Sequence, residues 1–321
     1  MSRKPKDSTV ASAPASAMER WPELPFDGWA DTAETLHLWT QIVGKVRMES
    51  LPWQNHAWHV TLSVTPRGLT TGTADHANGS FSLDLDFFDH ELRIATDEGR
   101  VERVALAPRT TADFYSAVME ALRAANRPVS IHTMPNEIAD AIPFDQDRQH
   151  DRYDGEAVQR FWRVLASADR VFRAFRADWW GKGSPSHFFW GSFDLAVTRF
   201  SGRTAPDHGG GMPNMPLWVA QEAYSHEVSS AGFWPGGRGV SGPIFYSYAY
   251  PSPAGMAEAP VGPEGAGWSE ELGEFVLPYE AVRTATDPDL ALRTFLEDTF
   301  EVAARLGQWT LPAGRRHYPS T

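Results

Sequence analysis

The chain has 321 residues, 42% of them hydrophobic, enough for one large domain or two smaller ones around a real core. Its 41 acidic against 29 basic side chains give a formal charge of -12, which repels phosphate backbones and anionic lipid and argues against nucleic-acid and membrane partners. No cysteine occurs, which excludes disulfides, thiolate zinc sites and cysteine nucleophiles, so any metal must be held by His, Asp and Glu.

Residues 1–20 open with basic side chains but lack the continuous apolar segment of a secretory signal, and their Ala/Ser/Pro composition predicts a flexible tail. No later stretch approaches a membrane span, so a cytoplasmic location is expected. From Thr32 to Met48, Leu36, Trp39, Ile42, Val43 and Val46 recur at helical spacing, with Asp31 placed to cap the helix. "HAWHVTLSV" then alternates Trp58, Val60, Leu62 and Val64 with polar residues, which predicts a strand. "SFSLDLDFF" repeats that alternation, and "DEG" between "ELRIAT" and "RVERVAL" marks a hairpin turn. Phe114, Val118, Met119 and Leu122 form one stripe of a second helix.

Residues 135–154 are polar and proline-rich and read as a connection after one short strand. The order then begins again. A long helix carries Val158, Phe161, Trp162, Leu165, Val171 and Phe172 inward, and "HFFWGSFDLAVTRF", "EAYSHEVSSAGFW", "PIFYSYAY" and "EFVLP" follow as strands before a final helix. The expected fold is therefore α+β. Two related halves, residues 21–134 and 155–321, each an antiparallel sheet flanked by helices, pack face to face as one compact unit. Long Gly/Pro-rich loops at 204–216 and 251–267 are of the kind that covers a pocket, mediates contacts or is simply mobile.

"TLHLWTQIVGKVRM", "HFFWGSFDLAVTRFSGR", "EAYSHEVSSAGFWPG" and "EFVLPYEAVR" together resemble the DUF5996 family, a set of mostly bacterial proteins without an assigned activity. The resemblance covers nearly the whole chain after the tail. It implies no particular catalytic residues, so the chemistry has to be argued from side chains.

The most pointed feature is Asp194 in an otherwise apolar run. In an unbroken strand His187 and Asp194 face opposite sides, about 23 Å apart at about 3.3 Å per residue, while Trp190, Ser192 and Thr198 share the side of Asp194. A buried carboxylate without a partner costs several kcal/mol, so a partner is expected. On the next strand Tyr224, His226 and Val228 form one face and Ser225, Glu227 and Ser229 the other. Asp194 paired with His226 would give an oriented imidazole for acid–base or metal chemistry, with His187 and Glu227 as further candidates. A structural hydrogen bond between strands explains the same residues. Asp84, Asp86 and His90 at even spacing form a second arrangement able to hold a divalent ion, though such alternation is more often only the wet side of a sheet. His56 and His59 make a weaker metal pair, with His59 a pocket-lining candidate.

No phosphate-binding loop, dinucleotide fingerprint, nucleophile elbow or His-Glu-x-x-His motif is present. Thirteen tryptophans, eighteen phenylalanines and eight tyrosines can line a cavity or fill a core. Trp190, Tyr224 and Trp234 are the aromatic candidates for ligand contact, and Arg203 the candidate for a ligand carboxylate or an acidic neighbour. The expectation is a small-molecule enzyme with a His/carboxylate site, assisted by a divalent metal ion or not, in an aromatic-lined pocket between the halves. The alternatives are a non-catalytic small-molecule binding protein and a structural or oligomerising protein.

Overall fold

Helix α1 (Ala30–Ser50) is buried on nearly every side, including Thr35, His37, Thr40, Gln41 and Lys45 as well as the apolar stripe. Asp31, Glu34 and Glu49 face water, but those five polar side chains do not. Two of them grip the connection between the halves: Gln41 accepts from the Asn136 amide at 2.8 Å and donates to its carbonyl at 2.9 Å, and Lys45 donates to the Met134 carbonyl at 2.8 Å. Residues 127–154 contain no helix or strand, so the short strand expected there does not form. Side chains of α1 satisfy part of its backbone instead of a ladder. Asp31 lies in the first turn of α1 and Trp29 holds the capping position, so Asp31 favours the helix end through the dipole alone. The structure is a computed structural model that describes residues 20–237 and 239–310. The expected tail, but for residue 20, lies outside them.

The strand expected from Trp58 is replaced by tight turns over Asn55–Val60, in which His56 and Ala57 adopt left-handed φ of 58° and 57°. A tertiary contact overrides the local alternation: His56 Nδ1 lies 3.2 and 3.1 Å from the Glu222 and Ala223 carbonyls. What remains is β1 (Ser63–Thr65), which opens an antiparallel meander with β2 (Gly68–Thr70), β3 (Phe81–Asp86), β4 (Glu91–Thr96) and β5 (Val101–Ala105), in that order. Leu83, Leu85, Leu92 and Ile94 fill the buried face. Helix α2 (Thr111–Ala124) packs on β5 with Phe114, Val118, Met119 and Leu122 buried, as the spacing predicts.

The second half opens with α3 (Gly155–Ala177), whose first turn is capped by Asp154 accepting from Glu156 and Ala157. Its sheet has the order β6 (His187–Phe189), β7 (Asp194–Thr204), β8 (His226–Trp234), β9 (Ile244–Tyr250), β11 (Glu274–Pro278) and β10 (Gly267–Ser269). Between β7 and β8 lies a short helix, α4 (Leu217–Ala223), and after β11 come α5 (Tyr279–Arg283) and α6 (Pro288–Leu306). Leu195, Val197, Ala231, Phe233, Phe245 and Phe275 form the face that α3 and α6 cover.

The two sheets meet edge to edge, not face to face. Leu62, just before β1, exchanges backbone hydrogen bonds of 2.9 and 2.7 Å with Phe188 of β6. One buried cluster runs through both halves, with Phe161, Phe188 and Phe193 at the seam. The chain is thus an α+β protein of two halves, each an antiparallel sheet flanked by helices, joined as one compact unit.

Candidate functional site

Asp194 does not sit inside a continuous strand. The chain reverses over residues 190–193, with Phe193 at a left-handed φ of 66° and its amide bonded to the Phe189 carbonyl at 2.9 Å. Residues on either side then pair as a hairpin, Phe189 opposite Asp194 and His187 opposite Ala196. Reversal places His187 and Asp194 on one face, where an unbroken strand would have separated them. The turn is anchored from α1. Gly44 lies under the Trp190 indole, whose Nε1 donates to the Val60 carbonyl at 2.6 Å, and His37 Nε2 bonds the Gly191 carbonyl at 2.9 Å.

The carboxylate of Asp194 accepts from Ser192 Oγ at 2.5 Å and from the phenol of Tyr246 two strands away. Ala196, Gly232 and Tyr246 form one rung across β7, β8 and β9, and a Cβ on Gly232 would stand 2.3 Å from Tyr246 Oη. Glycine at that rung is what lets the tyrosine lie across β8. The next rung on the same face holds Thr198, Ser230 and Tyr248, with Glu274 following on β11. Thr198 and Ser230 hydroxyls lie 2.8 Å apart, and Tyr248 Oη lies 2.9 Å from Tyr224 Oη. His208, from the 204–216 loop, stacks on Tyr224 at 4.5 Å. That loop is tied to the connection by Glu137 N to Pro213 O at 2.8 Å and Asn214 Nδ2 to Ile138 O at 2.9 Å, so the face is roofed by irregular chain.

Electrostatically this face is acidic and partly to fully buried. Burial, then the charge of Asp194, raises the Glu274 carboxyl to about 7. Burial also pushes the Tyr246 and Tyr248 phenols well above their ordinary value, with Asp194 adding to it. Both tyrosines therefore remain protonated donors at neutral pH.

His226 is not the partner of Asp194. Strand β8 runs seven residues from His226 to Phe233, the partner of Leu195 beside Asp194, which is about 23 Å at about 3.3 Å per residue. The face is shared as the parity predicts, but the register sets the two residues at opposite ends. His226 lies 3.1 Å from Ser225 Oγ and edge-on to His56, with ring centroids 5.7 Å apart. His56 in turn directs Nδ1–H at two carbonyls and accepts from Lys182 Nζ at 2.6 Å through Nε2. Burial, then the Lys182 charge, lowers its pKa and keeps the ring neutral.

The other expected residues fall in separate places. Glu227 accepts from Ser201 at 2.8 Å and from Arg203, whose guanidinium also donates to the Gly307 and Gln308 carbonyls at the end of α6. Arg203 thus caps a helix and pairs with an acidic neighbour. Tyr224 lies past the end of α4 and not on β8, and Trp234 ends β8 opposite Ile244. Trp190 is a buried wedge in the seam. Thr61 Oγ1 donates to the Trp58 carbonyl, so His187 Nδ1–H must donate to Thr61 at 3.1 Å; burial, then Arg47, lowers the His187 pKa to about 3.

Asp84, Asp86 and His90 do not converge either. Asp86 is held by Arg67 and the Phe88 and Asp89 amides, Asp84 by Thr70 and Ser82, and His90 by Tyr153. Among the described residues no group of three or more His, Asp or Glu side chains could hold a metal ion. The residues that sequence reasoning passed over are Tyr246, Tyr248 and Glu274. "IFYSYAY" does carry a signal, since Tyr246, Tyr248 and Tyr250 fall on alternate positions with Ser247 and Ala249 between them.

Fold and site define a two-sheet α+β protein with a roofed tyrosine and carboxylate face on its second sheet. Residues 21–315 match the pattern of the family of unknown function DUF5996, and the chain belongs to that family. Neither a curated protein nor a solved structure matches it.

Proposed function

We propose that the protein is a small-molecule enzyme that works by proton transfer on the tyrosine-lined face of the second sheet. Glu274 is the exchanging group. Burial holds it near neutrality, and the charge of Asp194, fixed by Tyr246 and Ser192, adds to that. One observation carries this reading: a second, half-buried carboxyl, Glu274, stands on the face where Tyr246 and Ser192 fix the Asp194 carboxylate, and burial with that charge raises it to about 7, the range general acid–base chemistry requires. The proposal replaces the expected Asp194–His226 pair with a carboxylate–tyrosine site and routes no step through a metal. It keeps a small-molecule ligand, a cytoplasmic location and no nucleic-acid or membrane partner.

The hydroxyls of Thr198, Ser230, Tyr248 and Tyr224, already bonded to one another in pairs, favour a second reading, a non-catalytic pocket for a polar small molecule. A metabolite screen by thermal shift, followed by NMR detection of conversion for each hit, separates the two. The enzyme reading expects conversion with an inflection near pH 7, lost in Glu274→Gln while binding persists. Hits that bind and are never converted select the second reading. A Glu274 carboxyl that titrates in the ordinary carboxylate range, followed by carbon NMR, ends the first.

A further inference from the structure

On the other side of α4 a shallow, widely open cleft of about 730 Å³ lies against the Asn55–Val60 turns, lined by Trp53, Asn55, Trp218, Gln221 and Glu222. Large aromatics are ordinarily buried, yet Trp53 and Trp218 are 45% and 56% exposed and adjoin at 5.0 Å between ring centroids. The walls are held in place. Trp53 packs on the buried His59 ring at 4.7 Å, and Glu222 Oε1 receives the His56 amide at 3.3 Å. His56 and Ala57, both at left-handed φ, bring that amide round to Glu222. No lysine or arginine among the described residues forms an ion pair with Glu222.

We propose that this cleft binds a small organic cation of the quaternary or methylated ammonium class, its charge over the Trp53 and Trp218 faces and against the Glu222 carboxylate. Indole faces attract such cations, and the alkyl groups suit an apolar wall that would not hydrate them. Asn55 and Gln221 offer amides to whatever polar substituent the cation carries. A neutral saccharide would also stack on indoles, but it would desolvate Glu222 without neutralising it. The site is distinct from the tyrosine face: Trp218, Gln221 and Glu222 of α4 point to the cleft, while Tyr224 beyond its end reaches Tyr248.

Tryptophan fluorescence and calorimetric titration of the full chain with choline tests this, beside its neutral isostere with carbon in place of the ammonium nitrogen, and cellobiose. The expected result is saturable quenching by choline, about tenfold weaker binding of the isostere, and a loss of about tenfold in Trp218→Ala and in Glu222→Gln. Glu222→Gln keeps the oxygen that receives the His56 amide, so it removes charge without removing that contact. Equal binding of the isostere, binding of cellobiose in place of choline, no saturable choline binding up to tens of millimolar, or indifference to both variants overturns the proposal.

Discussion

The phenol of Tyr246 donates to the carboxylate of Asp194 across an intervening strand, and it can do so because Gly232 presents no side chain beneath it. A Cβ at Gly232 would also stand 2.5 Å from the Leu195 carbonyl oxygen, which is backbone and cannot swing aside. Tyr246→Phe should lower stability by about 1–3 kcal/mol, because a buried carboxylate loses a donor. Gly232→Ala should cost at least as much. Urea unfolding of both variants checks this, and a neutral Gly232→Ala would contradict the packing described.

Helix propensity and packing make opposite predictions at Gly44. In an exposed helix interior, Gly→Ala stabilises by about 1 kcal/mol. Here a Cβ would meet the Trp190 indole at 2.1–2.3 Å, and that ring is pinned by its bond to Val60. Gly44→Ala should therefore destabilise by about 1–3 kcal/mol, read from the denaturation midpoint. A stabilised variant would show that the indole is free to move.

The pH dependence of stability should carry a mark of Glu274. Its carboxyl titrates near 7 in the folded state against an ordinary 4.5, so between those values the native state holds the extra proton. Stability from this group falls as pH rises through that window, by up to about 3 kcal/mol, and is level above it. His187 acts in the opposite sense. Its folded pKa near 3 against 6.5 contributes stability that is present above 6.5 and lost as pH falls. Comparing wild type with Glu274→Gln at each pH isolates the first effect. Identical slopes between pH 5 and 7 would argue that Glu274 is hydrated.

Lys182 donates to the neutral His56 ring and, after burial, is the next cause of its lowered pKa. Lys182→Met should therefore raise the His56 pKa, followed by the imidazole proton shifts in an NMR titration. An unmoved or lowered value would place the ammonium elsewhere.

Much of the secondary structure was legible in the pattern. The stripe from Leu36 to Val46, the Phe114 to Leu122 stripe and the alternation through "SFSLDLDFF" all correspond to buried faces of the expected elements. "HFFWGSFDLAV" was misleading because a continuous apolar run reads alike whether the chain continues or doubles back. Only the left-handed Phe193 and the pairing of Phe189 with Asp194 settle it. Periodicity likewise placed His226 and Asp194 on the same parity but said nothing of register, so they stand at opposite ends of one face.

Within each element that does form, what the sequence determined by itself is which side chains share a surface, since the helical and strand periods are local properties of the backbone. Which surfaces meet was decided by tertiary structure alone: Leu62 against Phe188, Tyr246 over Gly232, His56 against the end of α4. The physical reason is that apolar burial drives collapse without direction. The choice among possible partners rests on long-range steric fit and hydrogen bonds that only the assembled chain brings together.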